Sequence, residues 1–313
     1  MDAVAIEDVT KTFQGHVAVD RLSLRVPAGC IYGFIGPNGS GKTTTLRMIM
    51  RILHPDRGTV RVLGDVSFRA ASDRVAYLPE ERGLYKQMKV RDVLRFYAEL
   101  KGLRHSGPAI EEWLERLGLE DWAGKRVEAL SKGMAQKVQF IATVVARPEL
   151  VLLDEPFSGL DPVNLEVLRD AVLQLRRDGT TVIFSTHDMA VAERLCDFVF
   201  MIYKGRKVLD GTLEAIQDKY GSDTLRVRLE GNGAALDGLP GVARVTDLGR
   251  WQELRLERDA DPQAVLGRLM QRGRVRHFEL ARPTLHDVFV RIAGPEAATP
   301  HAIAPTPGDG SHA

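Results

Sequence analysis

The sequence predicts an α/β protein with a parallel β-sheet at its core, followed by a small α+β domain. Three observations support this fold class. Short, continuously apolar segments alternate with helical segments as far as about residue 217. A stretch of helical periodicity interrupts this alternation at about residues 90–147. Beyond about residue 219, apolar and charged residues alternate singly, which is typical of half-exposed strands.

The composition is that of a globular protein. Of the 313 residues, 44% are hydrophobic and 27% are charged, and the formal net charge is +1. Because such a chain has no overall field that would select a polyanion, we expect no nucleic-acid partner. The sequence contains no apolar run near the ~18 residues of a spanning helix, and its acidic start is unlike a signal peptide. Cys30 and Cys196 match no metal or redox spacing, so we expect reduced thiols in a cytosolic protein.

The predicted parallel sheet rests on three apolar segments, at residues 31–35, 150–153 and 181–184. Continuous apolar character indicates strands that are covered on both faces. Each segment ends in polar or Gly-rich sequence. Because open α/β sheets bind ligands at the carboxyl ends of their strands, we expect the functional site there.

Residues 90–147 carry apolar side chains at helical spacing, among them Val93, Leu94 and Leu114. We interpret this stretch as a helical subdomain inserted into the sheet domain. The periodicity also allows helices that simply cover the sheet.

The C-terminal part, residues 224–293, is predicted to be the small α+β domain, with an antiparallel sheet. Leu225 and Val227 alternate with charged residues, Asp261 precedes a predicted helix, and Thr284 and Asp287 have capping-box spacing. The remaining residues, 294–313, are rich in Pro, Ala, Gly and Thr and are predicted to be a disordered tail.

The first polar turn fits the phosphate-binding pattern G-x-x-x-x-G-K-[ST]. Glycines allow successive backbone N–H groups to surround phosphate oxygens, and the following helix adds its positive end. Lys42 would supply charge to the phosphates of ATP, and the hydroxyl of Thr43 would bind Mg²⁺. The predicted ATP-binding residues of this loop are Gly36, Pro37, Asn38, Gly39, Ser40, Gly41, Lys42, Thr43 and Thr44.

Two adjacent acids, Asp154 and Glu155, follow the second apolar strand. We expect Asp154 to hold Mg²⁺ and Glu155 to act as the general base for the attacking water. On their own such acids often cap the next helix, but together with the loop at Gly36 they indicate a P-loop NTPase.

Further segments occur in a fixed order across residues 4–215. Leu130-Ser131-Lys132-Gly133-Met134 resembles the signature of ABC-transporter ATP-binding subunits, usually read Leu-Ser-Gly-Gly-Gln. Ser158-Gly159-Leu160-Asp161 resembles the D-loop of that family, and Ser185-Thr186-His187-Asp188 its switch-histidine segment. Phe13 stands at the position of the family's adenine-stacking aromatic residue. Through these segments the chain resembles the ATP-binding subunits of ABC transporters. The resemblance implies that residues 1–217 form the ATP-binding domain.

The resemblance implies a role for each matched residue. In a head-to-tail dimer, Ser131, Lys132, Gly133 and Met134 would contact the ATP held by the other subunit. His187 would hydrogen-bond the γ-phosphate and position Glu155. Glu155 and His187 would therefore both be catalytic residues. Simpler interpretations remain open: Ser131 as an ordinary helix cap, His187 as a partly buried histidine, and Phe13 as a core residue.

Two departures from the family pattern stand out. Glu80 occupies the place of the switch glutamine that contacts Mg²⁺, and Lys132 and Met134 replace a glycine and a glutamine in the signature. Glu80 can bind Mg²⁺, but it adds negative charge near the γ-phosphate. We expect slower hydrolysis unless Lys132 or Arg82 offsets that charge.

Residues 80–85 and 130–133 resemble exporter-type subunits related to sodium-efflux and multidrug ATPases. This resemblance implies a homodimer or heterodimer and a separate membrane-spanning permease subunit, placing the chain at the cytoplasmic face of the cell membrane, or in the cytosol when isolated. The permease would dock near Leu84, Tyr85 and Met88, although these residues could instead pack inside. The single ATP cassette and the lack of an inserted coiled coil disfavour an ATPase that acts on ribosomes or DNA. A regulatory module that binds ATP without hydrolysing it has only Glu80 in its favour.

Overall fold

The computed structural model of the chain describes residues 1–65, 73–81, 83–221, 224–230, 236, 238–249 and 251–294. Contacts divide the chain into two units, Met1–Ile216 and Gln217–Ala313. Arg82, the cation expected beside Glu80, and residues 295–313 of the predicted tail lie outside the described residues. The domain limits 1–217, 224–293 and 294–313 stay predictions.

Two sheets form the first unit. Its strands are β1 (Asp2–Phe13), β2 (His16–Pro27), β3 (Ile31–Ile35), β4 (Arg57–Val62), β5 (Val75–Leu78), β6 (Leu150–Asp154), β7 (Thr181–Thr186), β8 (Phe198–Tyr203) and β9 (Arg206–Thr212). The larger sheet has the order β5-β6-β7-β3-β8-β9, and all its neighbouring pairs are parallel except β8 and β9. The three apolar segments are β3, β6 and β7, adjacent in the sheet, which confirms the predicted parallel core.

The smaller sheet is antiparallel, with the order β2-β1-β4. Its apolar face packs on one face of the larger sheet, where Tyr32, Leu150 and Leu152 point toward it. Alternate residues of the same strands, including Val151 and Leu153, belong to a second core on the other face. This two-sided burial explains why β3 and β6 are continuously apolar.

The helices of the first unit are α1 (Lys42–Ile49), α2 (Val90–Leu100), α3 (Gly107–Arg116), α4 (Lys132–Val144), α5 (Pro162–Arg177) and α6 (Met189–Leu195), and α7 (Leu213–Tyr220) crosses the division between the units. Helix α1 begins at Lys42, within the predicted phosphate-binding loop. Helices α2, α3 and α4 share one buried core with β6 and β7. The separation of residues 90–147 as a subdomain therefore stays a prediction.

The second unit has an antiparallel sheet of β10 (Thr224–Leu229), β11 (Val242–Asp247), β12 (Gln252–Leu256) and β13 (Val275–Ala281), with the order β11-β12-β10-β13. Helix α8 (Pro262–Arg272) is capped by Asp261, and α9 (Leu285–Ala293) begins with the expected capping box of Thr284 and Asp287. In α8, Val265 and Leu269 are buried. These elements confirm the predicted α+β character of this region. Among the described helices, none is long and apolar enough to cross a membrane.

Candidate functional site

The phosphate-binding loop connects β3 to α1 at the carboxyl edge of the parallel sheet. Gly36 and Gly41 have φ angles of 157° and 109°. A side chain at Gly36 would collide with the carbonyl oxygen of Ile202, and one at Gly41 would lie 2.6 Å from the carbonyl oxygen of Ala18. Both positions therefore require glycine for space, and Gly41 also for its backbone conformation.

Lys42 lies at the start of α1 with only 6% of its side chain exposed. Its Nζ donates to the carbonyl oxygens of Gly36 at 2.7 Å and Pro37 at 3.2 Å, and it lies 3.6 Å from Oε1 of Glu155. Burial lowers the pKa of Lys42, and the negative charge of Glu155 opposes that shift. The only cation in the Gly36–Thr43 loop is thus held between backbone oxygens and an acid.

Asp154 is buried at the end of β6, and three hydroxyl groups donate to it. Thr43 Oγ1 and Ser185 Oγ donate to Oδ1 at 3.1 and 2.5 Å, and the Tyr77 hydroxyl donates to Oδ2 at 3.2 Å. Burial, followed by the charge of Asp154, raises the pKa of Tyr77 to about 12. The sequence did not indicate that Ser185 and Tyr77 contact Asp154, since both contacts depend on the order of β5, β6 and β7.

Glu155 follows Asp154 with a φ of 48°, a left-handed conformation that is uncommon for a residue other than glycine. Its backbone N–H donates to Ser185 Oγ at 3.0 Å, and Oε2 lies 3.1 Å from Nδ1 of His187. Oε1 is buried and has no hydrogen-bond partner among the described residues. Buried polar atoms without partners are rare, so this oxygen is a candidate for accepting a proton or a water hydrogen bond.

The signature segment lies at the start of α4. Ser131 caps this helix and accepts a hydrogen bond from the backbone N–H of Met134 at 3.3 Å. A Cβ at Gly159 would lie 2.6 Å from Nζ of Lys132, so the ammonium group packs directly on the D-loop. A Cβ at Gly133 would lie 3.1 Å from the side-chain nitrogen of Asn164 and 3.6 Å from Leu160 of the D-loop. The signature and the D-loop of the same chain are therefore in contact, which the sequence did not indicate.

Asp161 caps α5. Its carboxylate accepts hydrogen bonds from the backbone N–H and the side-chain amide of Asn164, at 3.0 and 2.5 Å. The backbone hydrogen bond from Asn164 is the main reason that the pKa of Asp161 is lowered. The D-loop is thereby fixed at its last residue to the first turn of α5.

Phe13 and Glu80 are among the predicted site residues that lie on the surface. Phe13 ends β1 with 41% of its surface exposed, and the ammonium group of Lys11 is 5.5 Å from its ring centre. It is not a core residue, which leaves its face available for stacking. Glu80 follows β5 and is exposed, and its negative charge acts on Lys42.

The residues near the loop suit a magnesium ion. Thr43 and Asp154 offer a hydroxyl and a carboxylate oxygen that lie 3.1 Å apart. Among the described residues, no group of three or more His, Cys, Asp and Glu side chains could hold a metal ion by itself. Magnesium is usually held in this way, by one or two protein oxygens together with substrate phosphates.

Comparison with known proteins extends these observations. The family model described as ABC transporter matches residues 19–158. A model for the C-terminal domain of DrrA1-3-like ATP-binding proteins matches residues 211–293. An AAA-domain model of the putative AbiEii toxin type matches residues 126–193.

Three relatives cover nearly the whole chain. The ABC transporter ATP-binding protein YhaQ of Bacillus subtilis is 40% identical over 93% of this chain and 98% of its own length. The Nod factor export ATP-binding protein I of Burkholderia lata is 34% identical over 94% and 97%. The daunorubicin resistance ATP-binding protein DrrA3 of Streptomyces coeruleorubidus is 32% identical over 93% and 96%.

Two solved structures have the same fold over 70% of this chain. An ATP-binding subunit of an ABC transporter matches with a TM-score of 0.65 and 29% identity over 93% of its own chain. The protein cbiO1 of Clostridium perfringens, part of the cbiONQ transporter complex, matches with a TM-score of 0.62 and 23% identity over 92%. These similarities confirm the predicted P-loop ATPase fold with a C-terminal domain, and the chain belongs to the family of ABC transporter ATP-binding proteins.

Proposed function

We propose that the chain is the ATP-hydrolysing subunit of an exporter and drives transport through a separate membrane-spanning subunit. The observation that carries the proposal is the side-chain cluster at the carboxyl ends of β3, β6 and β7. Glu155 pairs there with both Lys42 and His187, beside the Thr43–Asp154 pair. The direction of transport is supported by the names of two relatives, one in Nod factor export and one in daunorubicin resistance.

In the proposed reaction, the loop amides and Lys42 bind the phosphates, and Phe13 stacks on the adenine. Thr43, Asp154 and Glu80 would hold Mg²⁺, which would neutralise charge on the phosphates. Glu155 orients the attacking water and accepts its proton through Oε1, which is buried and has no hydrogen-bond partner among the described residues.

His187 positions the general base in this scheme. Its Nδ1 lies 3.1 Å from Oε2 of Glu155, so Nε2 is the ring nitrogen that would contact the γ-phosphate. The side chain is 53% exposed, and it can therefore meet a ligand without rearrangement of the core. Release of the cleaved phosphate would break the contact at Nε2, and the carboxylate of Glu155 would be restored once its proton passes to that phosphate or to solvent.

We further propose that two subunits bind ATP between them. The start of α4 carries Ser131, Lys132 and Gly133, and helix N-termini favour anions. In a second copy, these residues would face the γ-phosphate and supply the ammonium of Lys132. Because Lys132 packs on Gly159 of the D-loop, movement of one segment would be transmitted to the other.

The docking surface for the membrane subunit is proposed at Tyr85. This side chain is 53% exposed and makes an edge contact with Phe96, 5.6 Å between ring centres. Leu84 and Met88 are partly buried against the helical core, so they would support Tyr85 more than contact a partner. The chain would accordingly act at the cytoplasmic face of the membrane.

An ATP-dependent dimer tests the proposal. The molar mass of the Glu155→Gln chain, measured by light scattering, should be that of a monomer with Mg-ADP and that of a dimer with Mg-ATP. Adding Ser131→Arg should abolish the dimer without weakening ATP binding. Thr59→Arg, at an exposed position of β4, serves as a control that should still dimerise. A dimer that survives Ser131→Arg would contradict the proposed arrangement.

A further inference from the structure

Glu80 lies in the irregular stretch of backbone that follows β5. Leu78, the last residue of β5, pairs with Leu153 of β6, so this stretch is fixed to the sheet two residues before Glu80. On the other side of Glu80, the carbonyl oxygens of Glu81 and Gly83 accept no hydrogen bond from a backbone N–H of the described residues. Side chains are therefore the groups that can hold the stretch on that side.

Two side chains from neighbouring helices supply these hydrogen bonds. Nε2 of Gln139, in α4, donates to the carbonyl oxygen of Glu81 at 3.1 Å. The hydroxyl of Tyr97, in α2, donates to the carbonyl oxygen of Gly83 at 3.3 Å. The contact of Gln139 is the nearer of the two along the chain, because the carbonyl that it binds belongs to the residue after Glu80. Glu80 is thus held between the end of β5 and the amide of Gln139.

The amide of Gln139 is unfavourable at its position in the core. The residue is 6% exposed and stands in α4 between Val138 and Phe140, which are fully buried. Its Oε1 is buried and has no hydrogen-bond partner within the part of the chain that the structure describes. An unpaired buried acceptor destabilises a fold, and an apolar side chain of the same length would avoid it. Packing therefore does not explain the amide, whereas its donor to Glu81 does.

A second glutamine of α4 makes the same kind of contact beside the general base. Nε2 of Gln136 donates to the carbonyl oxygen of Pro156 at 3.2 Å, and Pro156 directly follows Glu155. In both places, a buried amide of α4 binds the carbonyl of the residue that follows an acid of the ATP site. Helix α4 thereby restrains the backbone beside Glu80 as it does beside Glu155.

We propose that Gln139 is a positioning residue that holds Glu80 toward the metal ion of the ATP site. This inference rests on the proposed role of Glu80 in binding Mg²⁺. The side chain of Glu80 is exposed, and its negative charge acts on Lys42 of the phosphate loop. A metal ligand on irregular, exposed backbone is preorganised only when that backbone is restrained. The hydrogen bond from a side chain fixed in the core supplies the restraint.

The contribution of Mg²⁺ to ATP binding tests this role without relying on turnover. The background is the chain with Glu155→Gln and Ser131→Arg, which should keep ATP intact and stay monomeric. ATP affinity is measured by calorimetric titration with Mg²⁺ and again with EDTA, and the ratio of the two affinities is compared between variants. Gln139→Met removes the donor and keeps an unbranched side chain. It should lower the ratio about threefold or more, as for the loss of one hydrogen bond, and leave the affinity in EDTA unchanged.

Thr143→Val is the matched control in the same helix. The hydroxyl of Thr143 donates to the backbone carbonyl of Gln139 at 2.9 Å, so its removal perturbs α4 without removing the donor to Glu81. The affinity ratio should stay that of the background chain. Gln139→Leu is a second variant at the tested position and should give the same ratio as Gln139→Met. Because both variants remove the unpaired Oε1, their melting temperatures should be equal to that of the background chain or higher.

Glu80→Ala separates positioning from a general effect on the fold. If Gln139 acts through Glu80, Gln139→Met should cause no further change of the ratio in a chain that already carries Glu80→Ala. An equal fall with and without Glu80 would overturn the inference, as would an unchanged ratio when Glu80 is intact. If Glu80→Ala alone leaves the ratio unchanged, the proposed metal role of Glu80 is wrong, and the inference falls with it.

Discussion

Replacing Glu155 with glutamine tests the catalytic centre most directly. The substitution keeps the shape of the side chain and removes its charge and its basicity. Oε1 of Glu155 is buried and has no hydrogen-bond partner among the described residues. This oxygen is therefore available to accept a proton. A positioned general base contributes about 10²- to 10⁴-fold to rate. We expect kcat to fall by that factor, about 3–5.5 kcal/mol in activation free energy.

ATP affinity should move in the opposite direction. Nζ of Lys42 is 3.6 Å from Oε1 of Glu155, and both side chains are less than a tenth exposed. At an effective dielectric constant of about 20, this pair attracts by roughly 4–5 kcal/mol before desolvation is counted. Glutamine frees the ammonium group for the phosphates, so ATP should bind as tightly as before or more tightly.

Steady-state phosphate release and equilibrium ATP binding measure the two effects. Glu149→Gln is the matched control, because Glu149 lies just before β6, at the end opposite to Glu155. Its carboxylate is 55% exposed and pairs with Arg74, and we expect turnover within about twofold of the parent chain. Turnover of Glu155→Gln within about threefold of the parent would refute the assignment of the base. So would a loss of ATP binding as large as the loss of rate.

Three further results are expected. Glu80→Gln removes negative charge near the phosphates. It should therefore raise kcat several-fold and change the Mg²⁺ concentration that gives half the maximal ATPase rate. An unchanged rate and an unchanged Mg²⁺ dependence would rule this out. Thr284→Ala removes the N-cap of α9, which stabilises a helix by about 1 kcal/mol. Amide hydrogen exchange in α9 should therefore become about fivefold faster. Exchange no faster than in the parent chain would contradict this role of Thr284. Burial, followed by the charge of Asp197, raises the pKa of Cys30 to about 11 from an ordinary 9.0. Alkylation needs the thiolate, so at pH 8 the folded chain should react about a hundredfold more slowly than the unfolded chain, with the rate rising toward pH 11. Equal rates would contradict the burial of this thiol.

The parts of the fold that could be predicted depend on local patterns. Strands β3, β6 and β7 are buried on both faces, and their continuous apolar sequence reflects this directly. The phosphate loop could be predicted because Gly36 and Gly41 have no room for a side chain. The capping box of Thr284 and Asp287 lies within four residues, so its spacing alone predicted it.

Contacts between distant segments could not be predicted in this way. The hydroxyls of Tyr77 and Ser185 meet Asp154 only because β5 and β7 flank β6 in the sheet. Strands β1 and β2 were not predicted, since register shifts at several points interrupt their alternation. The contact of Lys132 with Gly159 likewise depends on how α4 and the D-loop meet in space.

The charges around Lys42 lead us to propose that the departures at Glu80 and Lys132 compensate one another. Lys42 is the cation of the loop, and three acids act on its pKa: Glu155, Asp154 and Glu80. A bound triphosphate adds further negative charge, which one ammonium group cannot balance. The family pattern that the sequence resembles has a neutral glutamine and a neutral glycine at these two positions, whereas this chain has Glu80 and Lys132. If the start of α4 from a second copy closes over the phosphates, Lys132 brings one positive charge for the negative charge added by Glu80. Glu80→Gln and Lys132→Gly should therefore partly compensate one another, and the double variant should lie closer to the parent in ATPase rate than either single variant.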